Sequence, residues 1–417
     1  MFKDISTKKI LFVALTFAFF LRLFWIFAYS PKEIKSDPYY YDKAAKHIIE
    51  EGSYRNGQLF AYRPPAYPYF LAGIYKLFGY NYLAVKVIQA ILSILTCIVI
   101  YLLTKLLSNK LTALIAAGLF AFYPQFIRYP GELWSETLFL FLFMSAILFL
   151  YRFMRHSANK DGIISGILLG LSALTRETAF LFIAPISVWI FISSPSPGKV
   201  KKSIKKFLVI AIFMMVTMSP WIIRNYAILH KIVPVSTNGG INFYMGNNPD
   251  ANGDFLWRLA PGVIWPDTLE NATDEELSRL ELRAGSEGYK KGIEFILEDP
   301  IRSVRLSLKK LYLLWRVPYH NMDLTQLTPE TIFRIVWLVW YAGLIILAIP
   351  AIIILIKDMN VEWWLFHFWI ISISLVIMLT YSTTRYRLLA IPFIIILASL
   401  TIEKIIRPLV CNKGGSK

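Results

Sequence analysis

Apolar runs long enough to cross a bilayer recur along almost the whole of this chain, and nothing else constrains its fold as strongly. Segments 10–29, 82–107, 111–127, 133–153, 207–223, 331–356, 362–381 and 388–406 each read as one membrane-spanning helix. Segment 162–192 holds two further apolar halves, interrupted by Thr175-Arg176-Glu177, and reads as two short spans or a re-entrant hairpin. Counted as two, it brings the total to ten. Hydrophobic residues make up 56% of the 417, and charged residues only 17%, against about a quarter in soluble domains. The chain is therefore an all-α polytopic membrane protein; disorder, coiled coil and secreted disulfide scaffold are excluded.

Loop charge orients the spans. Lys3, Lys8 and Lys9 precede the first run, and Ser30-Pro31-Lys32 after it is a poor cleavage site, so an uncleaved helix with its amino terminus inside is expected. Arg152, Arg155, Lys160, Lys199, Lys201, Lys202, Lys205 and Lys206 then fall inside, as do Lys404, Arg407, Lys413 and Lys417. The long polar stretch falls outside with Asp250, Asp254, Asp267, Asp274, Glu275 and Glu276. The expected divisions are a membrane module 1–224 with its first outer loop 30–81, an outer, mostly helical domain 225–330, and C-terminal spans with a cytoplasmic tail, 331–417. The net charge of +17 follows from this bias and from attraction to anionic lipid. No basic stripe interleaved with aromatics lies outside the spans, so nucleic acid is not an expected partner. Cys97 and Cys411 are not placed to pair, and four-ligand zinc spacing is absent. No cofactor is expected; a divalent metal stays open without support from ligand spacing. With no convincing eukaryotic retention signal and a single sequon, Asn271-Ala272-Thr273, of a kind that mostly arises by chance, a bacterial or archaeal plasma (inner) membrane is expected.

The first outer loop breaks the charge rule by holding Lys32, Lys35, Lys43, Lys46, Arg55 and Arg63. It begins Ser36-Asp37-Pro38-Tyr39-Tyr40-Tyr41-Asp42, continues in a helical pattern over 44–51, and passes Ala61-Tyr62-Arg63-Pro64-Pro65-Ala66-Tyr67-Pro68 to a short apolar helix ending near Gly79. A carboxylate at Asp37 could serve as general base to a hydroxyl, or could merely cap the following helix. The three tyrosines line a cavity or form an interfacial belt. Glu132, Ser135 and Glu136 open the fourth span, where an ionisable group at the edge of hydrocarbon is a functional candidate. Arg176-Glu177 either closes a hairpin as an ion pair or offers a guanidinium fork to a phosphate, with Glu177 orienting it. Arg224-Asn225 and Arg385-Tyr386-Arg387 end up on the same side. Cations gathered outside, against the general bias, point to a polyanionic head group. Gly239-Gly240 and Gly246-Asn247-Asn248-Pro249 allow tight turns or close backbone approach to a ligand. Thr273 to Glu276 reads as a capping box for a helix running to Glu298, ended by Asp299-Pro300. Segment 301–315 reads as an amphipathic surface helix with Arg302, Arg305, Lys309 and Lys310 on its polar face.

In this order the features resemble the GT-C superfamily of membrane glycosyltransferases, in its protein-mannosyltransferase-like and RgtA/B/C/D-like group. The resemblance is carried by Asp37 with Tyr39 to Tyr41, Arg63-Pro64-Pro65 with Tyr67-Pro68, and Ser135-Glu136. Leu174-Thr175-Arg176, Pro220-Trp221 with Arg224-Asn225, Gly246-Asn247-Asn248-Pro249, and Arg385-Tyr386-Arg387 before Pro392 complete it. It implies a GT-C-like bundle of about ten spans whose first-loop surface helices frame an outward-facing cavity. A polyprenyl-phosphate sugar would enter from the bilayer, and a glycan, lipid or protein acceptor from outside. Asp37 maps onto the family's catalytic base. Relatives often carry a second acid directly beside it; here that neighbour is Pro38, and Glu136 is preferred over Asp42 as the second carboxylate. Arg63, Arg176, Arg224, Arg385 and Arg387 would face the donor phosphate, and Tyr39, Tyr40, Tyr41, Asn247 and Asn248 the substrate cavity. Direct displacement would invert the anomeric carbon. The rival readings are a polyprenyl-lipid flippase or transporter and a non-catalytic lipid-binding protein.

Overall fold

The computed structural model describes residues 7–193, 200–255, 272–317, 328–358 and 360–411. Lys3, Lys199, Asp267, Asn271, Lys413 and Lys417, used above to set topology or the sequon, lie outside them. About 80% of the structure is helical, and among the described residues there are no strands. In chain order the helices are α1 (Thr7–Ala28), α2 (Asp37–Glu51), α3 (Ala66–Phe78), α4 (Tyr82–Leu107), α5 (Lys110–Ala121) and α6 (Pro124–Arg128). Then come α7 (Glu136–His156), α8 (Asn159–Thr175), α9 (Thr178–Leu181), α10 (Ile183–Ile192) and α11 (Val200–Leu229). The last are α12 (Gly239–Gly246), α13 (Asp274–Glu298), α14 (Pro300–Trp315), α15 (Pro329–Lys357), α16 (Trp364–Leu379) and α17 (Ile391–Cys411).

Six described helices are long and apolar enough to cross a membrane unaided, which makes this a multi-pass membrane protein. The third span is not continuous: it bends by 62° between α5 and the segment starting at Pro124. Proline removes the backbone donor and its ring crowds the preceding turn, so the helix must break there. The interrupted pair resolves into two crossings. At one end of α8 Asp161 pairs with Arg152, and just past its other end Arg176 pairs with Glu136. Helix α8 therefore runs the length of α7. The return limb takes Phe182 beside Phe143 and Trp189 beside Tyr151, retracing the same span, so the re-entrant hairpin is ruled out by this packing.

Packing in the bundle is aromatic near the cavity end. Trp369 of α16 meets Phe143 at 4.3 Å and Phe182 at 4.5 Å, while its indole N–H donates to Leu389 O at 2.8 Å. Such ring pairs add about 0.5–1.5 kcal/mol each beyond burial. Arg22, fully buried in α1, ties that helix to its neighbours by donating to Ser93 Oγ at 2.9 Å and to Ala121 O at 3.0 Å.

Helices α12 to α14 sit over the cavity end and are locked down by close contacts. A Cβ on Gly240 would lie 1.8 Å from Gly285 O, and one on Gly246 would lie 1.6 Å from Thr380 O. These glycines let α12 press against α13 and the end of α16. Thr273 and Glu276 form the reciprocal capping box, and α13 ends where Asp299 caps α14. The polar face expected for α14 needs one correction. Lys310 is fully buried, donating to Asn247 Oδ1 at 3.0 Å and Met378 O at 3.2 Å, because α14 packs its inner face on α16 rather than lying free on the surface.

Candidate active site

Five charged side chains from four parts of the chain converge at the cavity end. Asp37 begins α2, preceded by Ser36 at a φ of 61°, a left-handed conformation that serine enters at a cost. Asp37 does not cap its helix. Its Oδ1 meets Arg63 Nη1 at 2.6 Å and its Oδ2 meets Arg385 Nη1 at 2.8 Å. Arg385 Nε then reaches Glu136 Oε1 at 2.7 Å, which Arg176 Nη1 also approaches at 2.9 Å. Arg176 donates as well to Ser135 Oγ at 3.3 Å. The contacts on Glu136 are ion pairs without good hydrogen-bond alignment, and its Oε2 has no hydrogen-bond partner among the described residues. Three guanidiniums face two carboxylates in this cluster, and Glu177, next to Arg176, brings a third carboxylate to the same cavity.

Burial pushes the Asp37 carboxyl up, but Arg63 and Arg385 override it and hold the group below its ordinary value. Asp37 is therefore ionised across the physiological range. The Arg385 guanidinium lies 4.0 Å from the Trp134 ring centre, which fixes its plane. Tyr386, below both Arg176 and Arg385, hydrogen-bonds Tyr381 at 2.8 Å.

These residues border a cavity of about 350 Å³. One wall is charged, with Asp37, Arg63, Arg176 and Arg385. A second is apolar, with Ile373, Val376 and Ile377 of α16 and Met245 of α12. A third carries Glu177, Thr178, Asn238 and Asn242. Glu136, 1% exposed, stands behind the charged wall and not on the cavity surface.

The remaining expected residues divide between the cavity and the surrounding fold. Tyr41 lines the cavity and Tyr40 lies under Arg63 at 5.2 Å, whereas Tyr39 is exposed beside Tyr40. Asp42 is consumed by Lys46 at 2.8 Å and by the hydroxyls of Tyr75 and Tyr82, which leaves it no free role. Arg224 donates to Phe60 O at 2.6 Å and Tyr54 O at 2.7 Å, away from Asp37. Arg387 donates to Arg316 O at 2.7 Å and stacks at 4.3 Å on Tyr341. Asn247 and Asn248 bond to the carbonyls of Phe243 and Tyr244 and finish α12 instead of facing the cavity.

Two contributors had no readable signal in the sequence. Trp134 is a lone aromatic at a helix start. Glu281, on α13, is buried and accepts the backbone N–H groups of Phe60 at 2.6 Å and Ala61 at 2.9 Å, with the Thr237 hydroxyl also donating to it. That clasp fixes the strand of loop leading into Arg63. Burial pushes the Glu281 carboxyl above its ordinary value despite these donors.

Among the described residues no group of three His, Cys, Asp or Glu side chains is placed to hold a metal ion.

Residues 62–223 match the family model described as dolichyl-phosphate-mannose-protein mannosyltransferase. Comparison with curated proteins gives no match. Among solved structures the chain is similar to the Archaeoglobus fulgidus oligosaccharyltransferase tethered with an acceptor peptide containing the NVT sequon. That likeness has a TM-score of 0.62 and 13% identity, covering 100% of this chain and 51% of the other. A second likeness is to the oligosaccharyltransferase AglB from Archaeoglobus fulgidus in complex with an inhibitory peptide and a dolichol-phosphate. Its TM-score is 0.57 at 15% identity, over 98% of this chain and 52% of the other. This chain thus spans about half the length of those proteins, and the likeness is one of fold. The chain thus shares the fold of the archaeal oligosaccharyltransferase and, over residues 62–223, is similar to the protein mannosyltransferases of that family model.

Proposed function

We propose that this protein is a membrane glycosyltransferase that moves a sugar from a polyprenyl-phosphate donor to an acceptor hydroxyl. The observation that carries this reading is a single cavity wall where an ionised Asp37 meets the guanidiniums of Arg63, Arg176 and Arg385. The apolar wall on α16, a membrane-facing helix, suits the polyprenyl chain. The dolichol-phosphate bound by the archaeal AglB supports the same class of lipid.

The chemistry follows from the wall. A donor phosphate competes with Asp37 for Arg385 and Arg63, exchanging one anion for another on the same guanidiniums. Asp37, relieved of part of that charge, becomes the stronger base and accepts the proton of the acceptor hydroxyl. The acceptor oxygen bonds to the anomeric carbon as the bond to the phosphate oxygen breaks, its electron pair leaving with the polyprenyl phosphate. The guanidiniums stabilise the charge that develops there. A single displacement inverts the anomeric carbon. Glu136, behind the wall, holds Arg176 and Arg385 in place rather than touching substrate. With three guanidiniums already matched to two carboxylates, the donor set does not suit a divalent cation, and no step is assigned to one. The positive loops at the far end favour a cytoplasmic position for it, with the cavity outside, in a plasma membrane. The acceptor is a glycan, lipid or protein hydroxyl.

The test is mass spectrometry of released polyprenyl phosphate. Purified wild type and Asp37→Asn are incubated with a panel of polyprenyl-phosphate sugars, cell-envelope glycans and membrane lipids. Turnover in wild type that vanishes in Asp37→Asn, with donor binding kept, is the expected result. Donor binding without turnover under every acceptor would favour a flippase or lipid-binding role, and equal turnover in both proteins would remove Asp37 as the base.

A further inference from the structure

The third wall of the cavity has a chemistry unlike that of the other two, and it is not accounted for by the phosphate or the lipid chain. Glu177 lines the cavity immediately after Arg176, and the Ser236 hydroxyl donates to its Oε2. Thr178, next in sequence, lines it too, and the buried Thr178 Oγ1 has no hydrogen-bond partner among the described residues. Across from the α8–α9 turn, the start of α12 contributes Asn238 and Asn242. Ser236 bridges the two sides, since its Oγ also lies 3.1 Å from Asn238 Oδ1.

A phosphate is disfavoured here, because Glu177 adds a negative charge on this wall. A hydrocarbon chain is disfavoured as well, because it would cover a carboxylate, two amides and an unsatisfied hydroxyl with groups that cannot hydrogen-bond. What suits the set is a neutral ligand dense in hydroxyls. A carboxylate accepts from two of them, an amide both donates and accepts, and a threonine hydroxyl does either. From this we infer that Glu177, Thr178, Asn238 and Asn242 form a carbohydrate-hydroxyl subsite that selects which sugar is handled. The inference rests on the glycosyltransferase reading. The hydroxyls belong either to the transferred sugar or to a glycan acceptor, whose chemistry at this wall is the same.

The experiment is a cycle that pairs side-chain changes with removal of single hydroxyls. Wild type, Glu177→Gln and Asn242→Ala are assayed in full-length form. The donor is the polyprenyl-phosphate sugar that wild type turns over fastest, together with each of its monodeoxy analogues. A parallel arm keeps the intact donor and uses monodeoxy glycan acceptors. Loss of a contacted hydroxyl is expected to cost wild type about tenfold or more in kcat/KM, since buried groups built to bond a hydroxyl are left unpaired without it. The same deoxygenation is expected to cost the variants less than about threefold. Coupling in the donor arm assigns the subsite to the transferred sugar, and coupling in the acceptor arm to the acceptor. Deoxy penalties that are equal in wild type and both variants would overturn the subsite while leaving the transferase intact. Wild type that neither binds nor turns over any sugar donor would overturn the parent reading itself. Asn242, half-buried on α12, keeps the cycle readable if Glu177→Gln does not fold.

Discussion

Two sets of arginines stand near the same end of this bundle and have opposite partners. Arg63, Arg176 and Arg385 reach carboxylates around the cavity, whereas Arg224 and Arg387 give their N–H groups to backbone carbonyls. The difference decides what each can do. A guanidinium paired with a carboxylate can take a phosphate in its place, since both are oxyanions of similar geometry. A guanidinium that satisfies buried carbonyls cannot leave without stranding them, at about 1–3 kcal/mol for each unpaired group. On the proposed function the first set exchanges its carboxylates for a phosphate, while the second stays tied to the backbone. Proximity to the cavity end is not enough; the identity of the acceptor sorts the cations.

The comparison breaks first at Asp37 if it is wrong. Asp37→Asn removes the proposed base and the shared anchor of Arg63 and Arg385, and is expected to lower kcat by about 10³-fold or more with donor binding retained. Arg385→Lys comes next. Lysine cannot span Asp37 and Glu136 together, so a loss of about 10²-fold in transfer is expected, with the melting temperature little changed. Arg387→Met should show the reverse pattern. It strands Arg316 O and empties the space over Tyr341, so denaturation should report a loss of about 2–3 kcal/mol while turnover per folded molecule stays within about twofold. Arg387→Met that kills turnover without lowering stability would erase the distinction between the two sets.

The charged wall was legible because charge at the edge of hydrocarbon is expensive and must be explained. Glu136 stands out on that ground, Arg63, Arg176 and Arg385 as cations gathered on the outer side, and Asp37 through the family resemblance; the structure brings all five together. Arg224 and Arg387 donate to backbone carbonyls instead, and a sequence shows a cation but not the carbonyl it will meet. Asn247 and Asn248 suggested a ligand loop, but an asparagine at a helix end can equally bond its own backbone, as both do here. Glu281 was unreadable for a different reason. It lies in a helix rich in exposed acids, and the loop it clasps is 221 residues away in sequence. The interrupted pair 162–192 was ambiguous because length alone cannot separate a short span from a hairpin. The ion pairs at both ends of α8 settle it.

Lys310 carries the comparison to its smallest effect, since it is a buried cation that hydrogen-bonds only to neutral groups. Its Nζ donates to Asn247 Oδ1 and Met378 O, and burial pushes its ammonium down to about 8. In the unfolded chain the same group holds its proton to about 10.5. Between those values the unfolded state carries more protons than the folded one, so stability rises with pH across that window. The cost of burying the charged form is fully present below pH 8 and is relieved as pH climbs toward 10.5. Neutral lysine still donates to both oxygens, so deprotonation removes the cost without breaking the contacts. Lys310→Met has no such titration. Thermal melts of both proteins from pH 7 to 10.5 should therefore show wild type gaining on the variant by up to about 3 kcal/mol. Arg387→Met, melted alongside, keeps Lys310 and should therefore follow wild type with pH. A constant gap between wild type and Lys310→Met would mean that an ammonium held only by an amide and a carbonyl is no burden to this fold. Neutral partners would then serve a buried cation as well as the carboxylates do at the cavity.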